Sequence, residues 1–298
     1  MKRDGLRGLG TALVTPFTAT GEVDFASLRR LVERQTEYGV DYLVVLGTTG
    51  EAVTMSEEEK TAVADTVIRV NKGRLPLVLG LGGNCTANVV AQLKEKREWL
   101  TGHFAAILSV CPFYNKPSQE GLYQHFAAIA EASPVPVVLY NVPGRTGVNM
   151  LPETAMRIYR NNPEKVAGVK EASGNMEQIG RLIDMSKDAG GGLLVISGDD
   201  GLAAEVMKMG GAGLISVASN AYPKEFGRIV REHDSGLQAK FEKLVGLLFK
   251  EGNPAGIKTV LSQMGLIENV LRLPLVANSE KVRDELRVES IRLRVERS

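Results

Sequence analysis

Eight short runs rich in Val, Ile and Leu recur along the chain, each of strand length and each followed by a longer stretch whose apolar residues have helical spacing. They cover residues 9–17, 41–47, 76–82, 104–111, 135–141, 166–171, 193–197 and 213–217. These runs are too continuously hydrophobic to leave one face wet, and strands buried on both faces belong to parallel sheets covered by helices. Eight such units in about 230 residues, with no long linker, fit an α/β chain closed into a (β/α)8 barrel, whose usual size is roughly 250 residues. A doubly wound sheet is the competing arrangement. It more often carries a Gly-x-Gly-x-x-Gly turn after its first strand, and neither Gly8-Leu9-Gly10 nor Gly80-Leu81-Gly82-Gly83 completes that pattern, so both read as turns or close strand packing.

Helix punctuation supports the same frame. Asp24 is placed to cap a helix over 25–38 that Gly39 closes, and its Leu28, Leu31 and Val32 stripe faces a core. Ser56 with Glu59 three residues on predicts a capping box, and Glu57, Glu58 and Glu59 crowd a first turn where the helix dipole favours anions. Thr86, Ser118, Pro152 and Asp199 or Asp200 open later helices. Beyond an eighth helix near 223–233, residues 235–298 keep helical periodicity, interrupted at Gly252-Asn253-Pro254, Leu273-Pro274 and Asn278. The chain therefore divides into a barrel, 1–234, and a small C-terminal helical extension, 235–298, whose last stretch mixes both signs of charge and reads as a solvated helix.

Composition narrows the class of function. Lys and Arg number 36 against 35 Asp and Glu, a formal charge of +1, so no global field draws nucleic acid or an anionic membrane surface. No apolar run approaches the ~18 residues of a membrane span. The two cysteines, Cys85 and Cys111, have no Cys-x-x-Cys or Cys/His company and read as reduced thiols in a cytoplasmic protein. His103, His125 and His233 lack metal-ligand spacing, and there is no Gly-x-Ser-x-Gly elbow.

In a barrel, chemistry sits at the C-terminal ends of the strands. The second run ends in Gly47-Thr48-Thr49-Gly50-Glu51, where hydroxyls and backbone N–H groups can converge on an anion, although Gly and Thr also build ordinary turns. The sixth ends in Lys170; period-two alternation places it on one face with Gly168 and Val166, while Val169 and Glu171 take the other. Pointing inward, Lys170 enters the barrel mouth with Gly168 leaving space beneath it; the competing reading is a lysine snorkelling at a strand end. Desolvation without a salt bridge favours the neutral, nucleophilic amine, and at a pKa of ~10.4 only about one lysine in a thousand is neutral near pH 7.4. That is what Schiff-base catalysis requires. Tyr140, ending the fifth run, is placed to carry the protons of carbinolamine chemistry, unless it merely packs. Arg145 follows on a loop from which it can fork onto a carboxylate, and Tyr114 lies after the fourth run in a loop stiffened by Pro112 and Pro117.

Taken in order, Gly47-Thr48-Thr49-Gly50-Glu51, the segment from Tyr114 to Gly121, the segment from Tyr140 to Gly147, Lys170-Glu171-Ala172 and Gly198-Asp199-Asp200 resemble the 4-hydroxy-tetrahydrodipicolinate synthase (dihydrodipicolinate synthase) family. The resemblance implies a lyase of the diaminopimelate route to lysine that condenses pyruvate with aspartate 4-semialdehyde, needs no metal or organic cofactor, and works as a cytoplasmic homotetramer of two tight dimers. Position by position it makes Lys170 the Schiff-base lysine and Tyr140 the acid/base tyrosine. It makes the Thr48 hydroxyl the link between Tyr140 and Tyr114, with Tyr114 donated across the tight-dimer interface. Thr49 becomes a ligand of the pyruvate carboxylate, Arg145 the receiver of the semialdehyde's carboxylate, and Ile215 a contact of pyruvate on the eighth strand.

Two alternatives remain at this point: a related aldolase acting on a sialic acid or 2-keto-3-deoxy sugar acid, against which Arg145 and Tyr114 speak, and a non-enzymatic keto-acid sensor, which would not need Lys170, Tyr140 and Thr48 together. The resemblance also departs at one place. Regulated members commonly build a lysine pocket with a glutamate at the position of Asn88, a tyrosine at Phe113 and a histidine at Glu57 or Lys60, so weak feedback by lysine is expected.

Overall fold

The computed structural model describes residues 3–295; Met1, Lys2 and residues 296–298, at the outer ends of the two expected regions, lie outside the described residues. Eight parallel strands close into a barrel in sequence order, β1 (Gly8–Ala12), β2 (Tyr42–Val45), β3 (Leu77–Gly80), β4 (Ala106–Val110), β5 (Val137–Asn141), β6 (Val166–Glu171), β7 (Leu194–Ser197) and β8 (Gly213–Ser216), with β8 pairing back onto β1. Around it run α1 (Phe25–Glu37), α2 (Glu57–Asn71), α3 (Thr86–Glu95), α4 (Arg97–His103), α5 (Gln119–Ala132), the short α6 (Pro143–Thr146), α7 (Pro152–Asn161), α8 (Met176–Asp188), α9 (Ala203–Met209) and α10 (Pro223–Glu232). The chain continues in α11 (Ser235–Phe249), α12 (Ala255–Gln263) and α13 (Glu280–Val295).

The continuous apolar runs follow from two cores. Val44, Val78, Leu108, Val138, Ile196 and Ile215 fill the inside of the barrel, while their strand neighbours Leu43, Leu79, Ile107, Leu139, Val195 and Leu214 join the layer under the helices. Near the floor the Tyr42 ring lies against Gly10, where a Cβ would come within 2.2 Å of it. Gly10 is thus a close-packing glycine, as the sequence suggests.

Local signals produce the expected ends. The Asp24 carboxylate accepts from the Ala26 and Ser27 N–H groups, and Ser56 with Glu59 forms the reciprocal capping box. Some boundaries differ. β1 ends at Ala12 rather than Phe17 because the Val14 N–H is taken by the Asn220 side chain at 3.2 Å instead of a neighbouring strand. The third helical stretch breaks at Lys96 into α3 and α4. The last helix is less solvated than its mixed charges suggest: Val282, Leu286, Glu289 and Leu293 are buried, and α13 packs on α11 and α12.

The β5–β6 pair carries an irregularity. Val137 pairs with Val166 but Val138 pairs with Gly168, so Ala167 is an extra residue on β6. Alternation restarts after it, which leaves Val166 in the outer layer with Val169, not on the Lys170 face that strict period two assigns it.

Candidate active site

The bulge sets up the mouth. After it, Tyr140 of β5 and Lys170 of β6 are register partners, and the Lys170 ammonium lies 4.3 Å from the centre of the Tyr140 ring. Lys170 is 6% exposed, and among the described residues no carboxylate pairs with it. Glu171 points the other way, accepting from Asn141 Nδ2 at 3.0 Å, from Gln178 Nε2 at 3.1 Å and from the Ser173 N–H at 2.7 Å. These donors pin the outer sides of both strand ends, so the buried carboxylate fixes β6 without neutralising the lysine next to it. Gly168 has a different job from the one its position suggests: a Cβ there would strike the Leu194 backbone oxygen of β7 at 2.5 Å. Room for Lys170 comes from Gly198, just past β7.

Across the barrel, residues 47–51 follow β2 as a tight 3-10 turn, Thr48–Gly50, ending with Glu51 in the left-handed region at φ 53°. The Gly50 and Glu51 N–H groups are spent on Gly47 and Thr48 carbonyls, while those of Thr48 and Thr49 have no partner among the described residues and remain for an anion. Thr48 is exposed, while Thr49 is buried and its hydroxyl accepts from Asn253 Nδ2 at 3.0 Å. Two residues on, the fully buried Glu51 pairs with the fully buried Lys258 of α12 and accepts from the Arg272 N–H at 3.2 Å. Burial pulls the Lys258 ammonium down to about 8 against the opposing pull of Glu51. Arg272 in turn forks onto Glu59 at 2.7 and 2.6 Å, holding that carboxyl down to about 2. Phe17 lies beneath both cations, 4.1 Å from the Lys258 ammonium and 4.4 Å from the Arg272 guanidinium.

The remaining candidates line the rim and the wall. Tyr114 is 89% exposed at the tip of the loop after β4, with φ 73°. Its N–H reaches the Thr146 carbonyl at 3.4 Å, which ties this loop to α6, where Arg145 stands exposed. Among the described residues no hydrogen bond joins the Thr48 hydroxyl to Tyr140 or Tyr114, so this hydroxyl relay is not assembled within one chain. Ile215 lies buried in the barrel interior on β8. The strand end beyond it is braced by buried Asp200, which accepts from Ser216 Oγ at 2.5 Å and from the Val217 and Ala218 N–H groups at 3.0 and 3.2 Å. Burial raises the Asp200 carboxyl to about 6.

Among the described residues no three His, Cys, Asp or Glu side chains form a group that would hold a metal ion, and no helix is long and apolar enough to cross a membrane. Cys85 is exposed and Cys111 buried, both as free thiols, and desolvation pushes Cys111 up to about 12. Asn253, Lys258 and Arg272 are absent from the sequence-based candidates. Lys258 is the one with a local signal, a lysine on the apolar face of an otherwise core-forming helix.

A family model described as the dihydrodipicolinate synthetase family matches residues 5–290. Among similar proteins, the 4-hydroxy-tetrahydrodipicolinate synthase of Parabacteroides distasonis is 50% identical, with 96% of this chain and 98% of that one covered. That of Flavobacterium psychrophilum is 47% identical over 94% and 95%. The crystal structure of dihydrodipicolinate synthase from Thermotoga maritima superposes with a TM-score of 0.91 at 43% identity, covering 96% of this chain and 98% of that one. A match of this length and identity, on a barrel with a buried lysine at the end of its sixth strand, means that the chain belongs to the dihydrodipicolinate synthetase family.

Proposed function

We propose that this chain condenses pyruvate with L-aspartate 4-semialdehyde to give 4-hydroxy-tetrahydrodipicolinate, in the diaminopimelate route to lysine. The observation that carries the reading is the Lys170–Tyr140 pair: a buried amine with no carboxylate partner among the described residues, against a phenol able to move protons. In the reaction the Lys170 amine adds to the keto carbon of pyruvate, and the carbinolamine loses water to form an imine. Removal of a methyl proton gives the enamine, whose carbon attacks the aldehyde. The substrate's own amino group then adds to the imine carbon, closes the ring and expels the Lys170 amine. Tyr140 serves the proton transfers within reach of the nitrogen.

The other candidates divide between binding and relay. Thr49 and the free amides of its turn receive the pyruvate carboxylate, Ile215 packs against the methyl side, and Arg145 on the rim receives the carboxylate of the semialdehyde. Thr48 passes protons between Tyr140 and a Tyr114 from a second copy, for which the outward position of this chain's Tyr114 is the support. Two such tight dimers then make a cytoplasmic homotetramer. In this division of labour the barrel, 1–234, carries the reacting groups and the helical region, 235–298, braces them.

The test is an assay that supplies pyruvate with either aspartate 4-semialdehyde or a sugar aldehyde acceptor and follows the heterocyclic product or its aldol counterpart. Turnover with the semialdehyde, lost in Lys170→Ala, supports the reading. Faster turnover with a sugar aldehyde contradicts it.

A further inference from the structure

Thr49 and Asn253 stand 204 residues apart in sequence, yet their side chains meet in a buried hydrogen bond that is the only one made by the Thr49 hydroxyl among the described residues. We infer that Asn253 is a positioning residue for the reaction: by donating to Thr49 Oγ1 it directs the hydroxyl's own proton into the site, where it meets the carboxylate of the keto acid. The inference rests on the assignment of Thr49 to pyruvate and assigns to the C-terminal region the control of that contact.

A hydroxyl has one proton and two lone pairs. When a neighbour donates to its oxygen, the proton is free to point elsewhere, and an anion bound at the turn is the partner that gains most from it. In the structure Asn253 Nδ2 faces Thr49, and among the described residues Asn253 Oδ1 is enclosed without a partner. The flipped amide would instead draw the Thr49 proton onto Oδ1 and away from the site, the state that Asn253→Asp, able only to accept, imposes.

The donor sits in a tightly packed corner. Asn253 is 6% exposed, three residues before Gly256, where a Cβ would lie 2.3 Å from the Leu248 oxygen, so α11 and α12 pack backbone to backbone just beyond it. Lys258, one turn along α12, grips Glu51 of the same 47–51 turn. The segment from Asn253 into α12 therefore holds the turn at two points, one through charge and one through the hydroxyl itself.

The experiment is steady-state kinetics of Thr49→Val, Asn253→Ala, Asn253→Asp and the double variant Thr49→Val/Asn253→Ala, with KM for each substrate measured separately. Asn253→Ala is expected to raise KM for pyruvate about tenfold or more, as for a lost hydrogen bond to a charged group, with KM for the semialdehyde within about twofold. In the Thr49→Val background it should add nothing. Asn253→Asp keeps the shape and safeguards the fold; because its carboxylate accepts the Thr49 proton, it should reproduce the rise. Additive effects in the double variant, equal rises for both substrates, or an unchanged pyruvate KM in Asn253→Asp would overturn the inference alone. If Thr49→Val itself leaves the pyruvate KM unchanged, the assignment of Thr49 to pyruvate falls, and the inference with it.

Discussion

Gly198 keeps the space into which Lys170 extends: a Cβ at this glycine would lie 3.0 Å from Lys170 Cε and 2.6 Å from the Ala172 side chain. The Ala172 Cβ cannot turn aside, so relief of that contact has to move the backbone just past Lys170, and the lysine with it. Gly198→Ala is therefore expected to lower kcat/KM at least about tenfold, since misplacing a reacting group by an ångström costs of that order or more. Stopped-flow imine formation with pyruvate alone checks it. Unchanged imine formation in the variant would mean that Lys170 does not need this space.

A second expectation concerns the turn after β2. Breaking a buried ion pair by removing one partner leaves an uncompensated charge and typically costs about 3–5 kcal/mol. Lys258→Met should destabilise the fold by that amount in urea titrations, as should Glu51→Gln. The double variant should lose clearly less than the sum. Additive losses, or a single loss under about 1 kcal/mol, would show that the pair is not acting as a unit.

Stability should also fall on mild acidification through one histidine. His125 is buried, with Nδ1 against Thr86 Oγ1 at 2.8 Å, and desolvation lowers its pKa from 6.5 to about 4. The unfolded chain then binds a proton below pH 6.5 that the folded chain refuses until about pH 4. The contribution is full above the unfolded value and is lost as pH falls through this window, by up to ~3 kcal/mol. His125→Phe should remove that part of the slope, and a stability difference between the two proteins that stays constant from pH 7 to pH 4 would refute the assignment.

These residues also show what a linear sequence discloses. The barrel is legible because its strands are buried on both faces and read as mostly apolar runs, and Lys170, Tyr140 and the 47–51 turn are legible because they end such strands. The bulge at Ala167 leaves no local mark, so Val166 is assigned to the wrong face and Gly168 to the wrong task. Asn253 and Arg272 sit at breaks in a helical pattern, and their partners Thr49 and Glu51 lie more than 200 residues away. Only the closed fold puts them together.

Lysine should be a weak feedback ligand. At the positions where regulated members build their pocket, Asn88 has no carboxylate, Phe113 no hydroxyl, and Glu57 is already engaged by Lys60 at 2.8 Å and Lys96 at 3.1 Å. A missing charged hydrogen bond is worth roughly 1.5–3 kcal/mol, or one to two powers of ten in affinity. Activity should stay nearly flat as lysine is titrated to millimolar levels. Strong inhibition below that range would mean that Glu57 exchanges its partners for the ligand's ammonium.

Covalent chemistry at Lys170 leaves a trappable imine, which borohydride reduction in the presence of pyruvate followed by peptide mass spectrometry detects. One reduced pyruvate adduct per chain is expected, on the peptide bearing Lys170, and none in Lys170→Ala. Full turnover with no adduct on Lys170, or an adduct on another lysine, would contradict it.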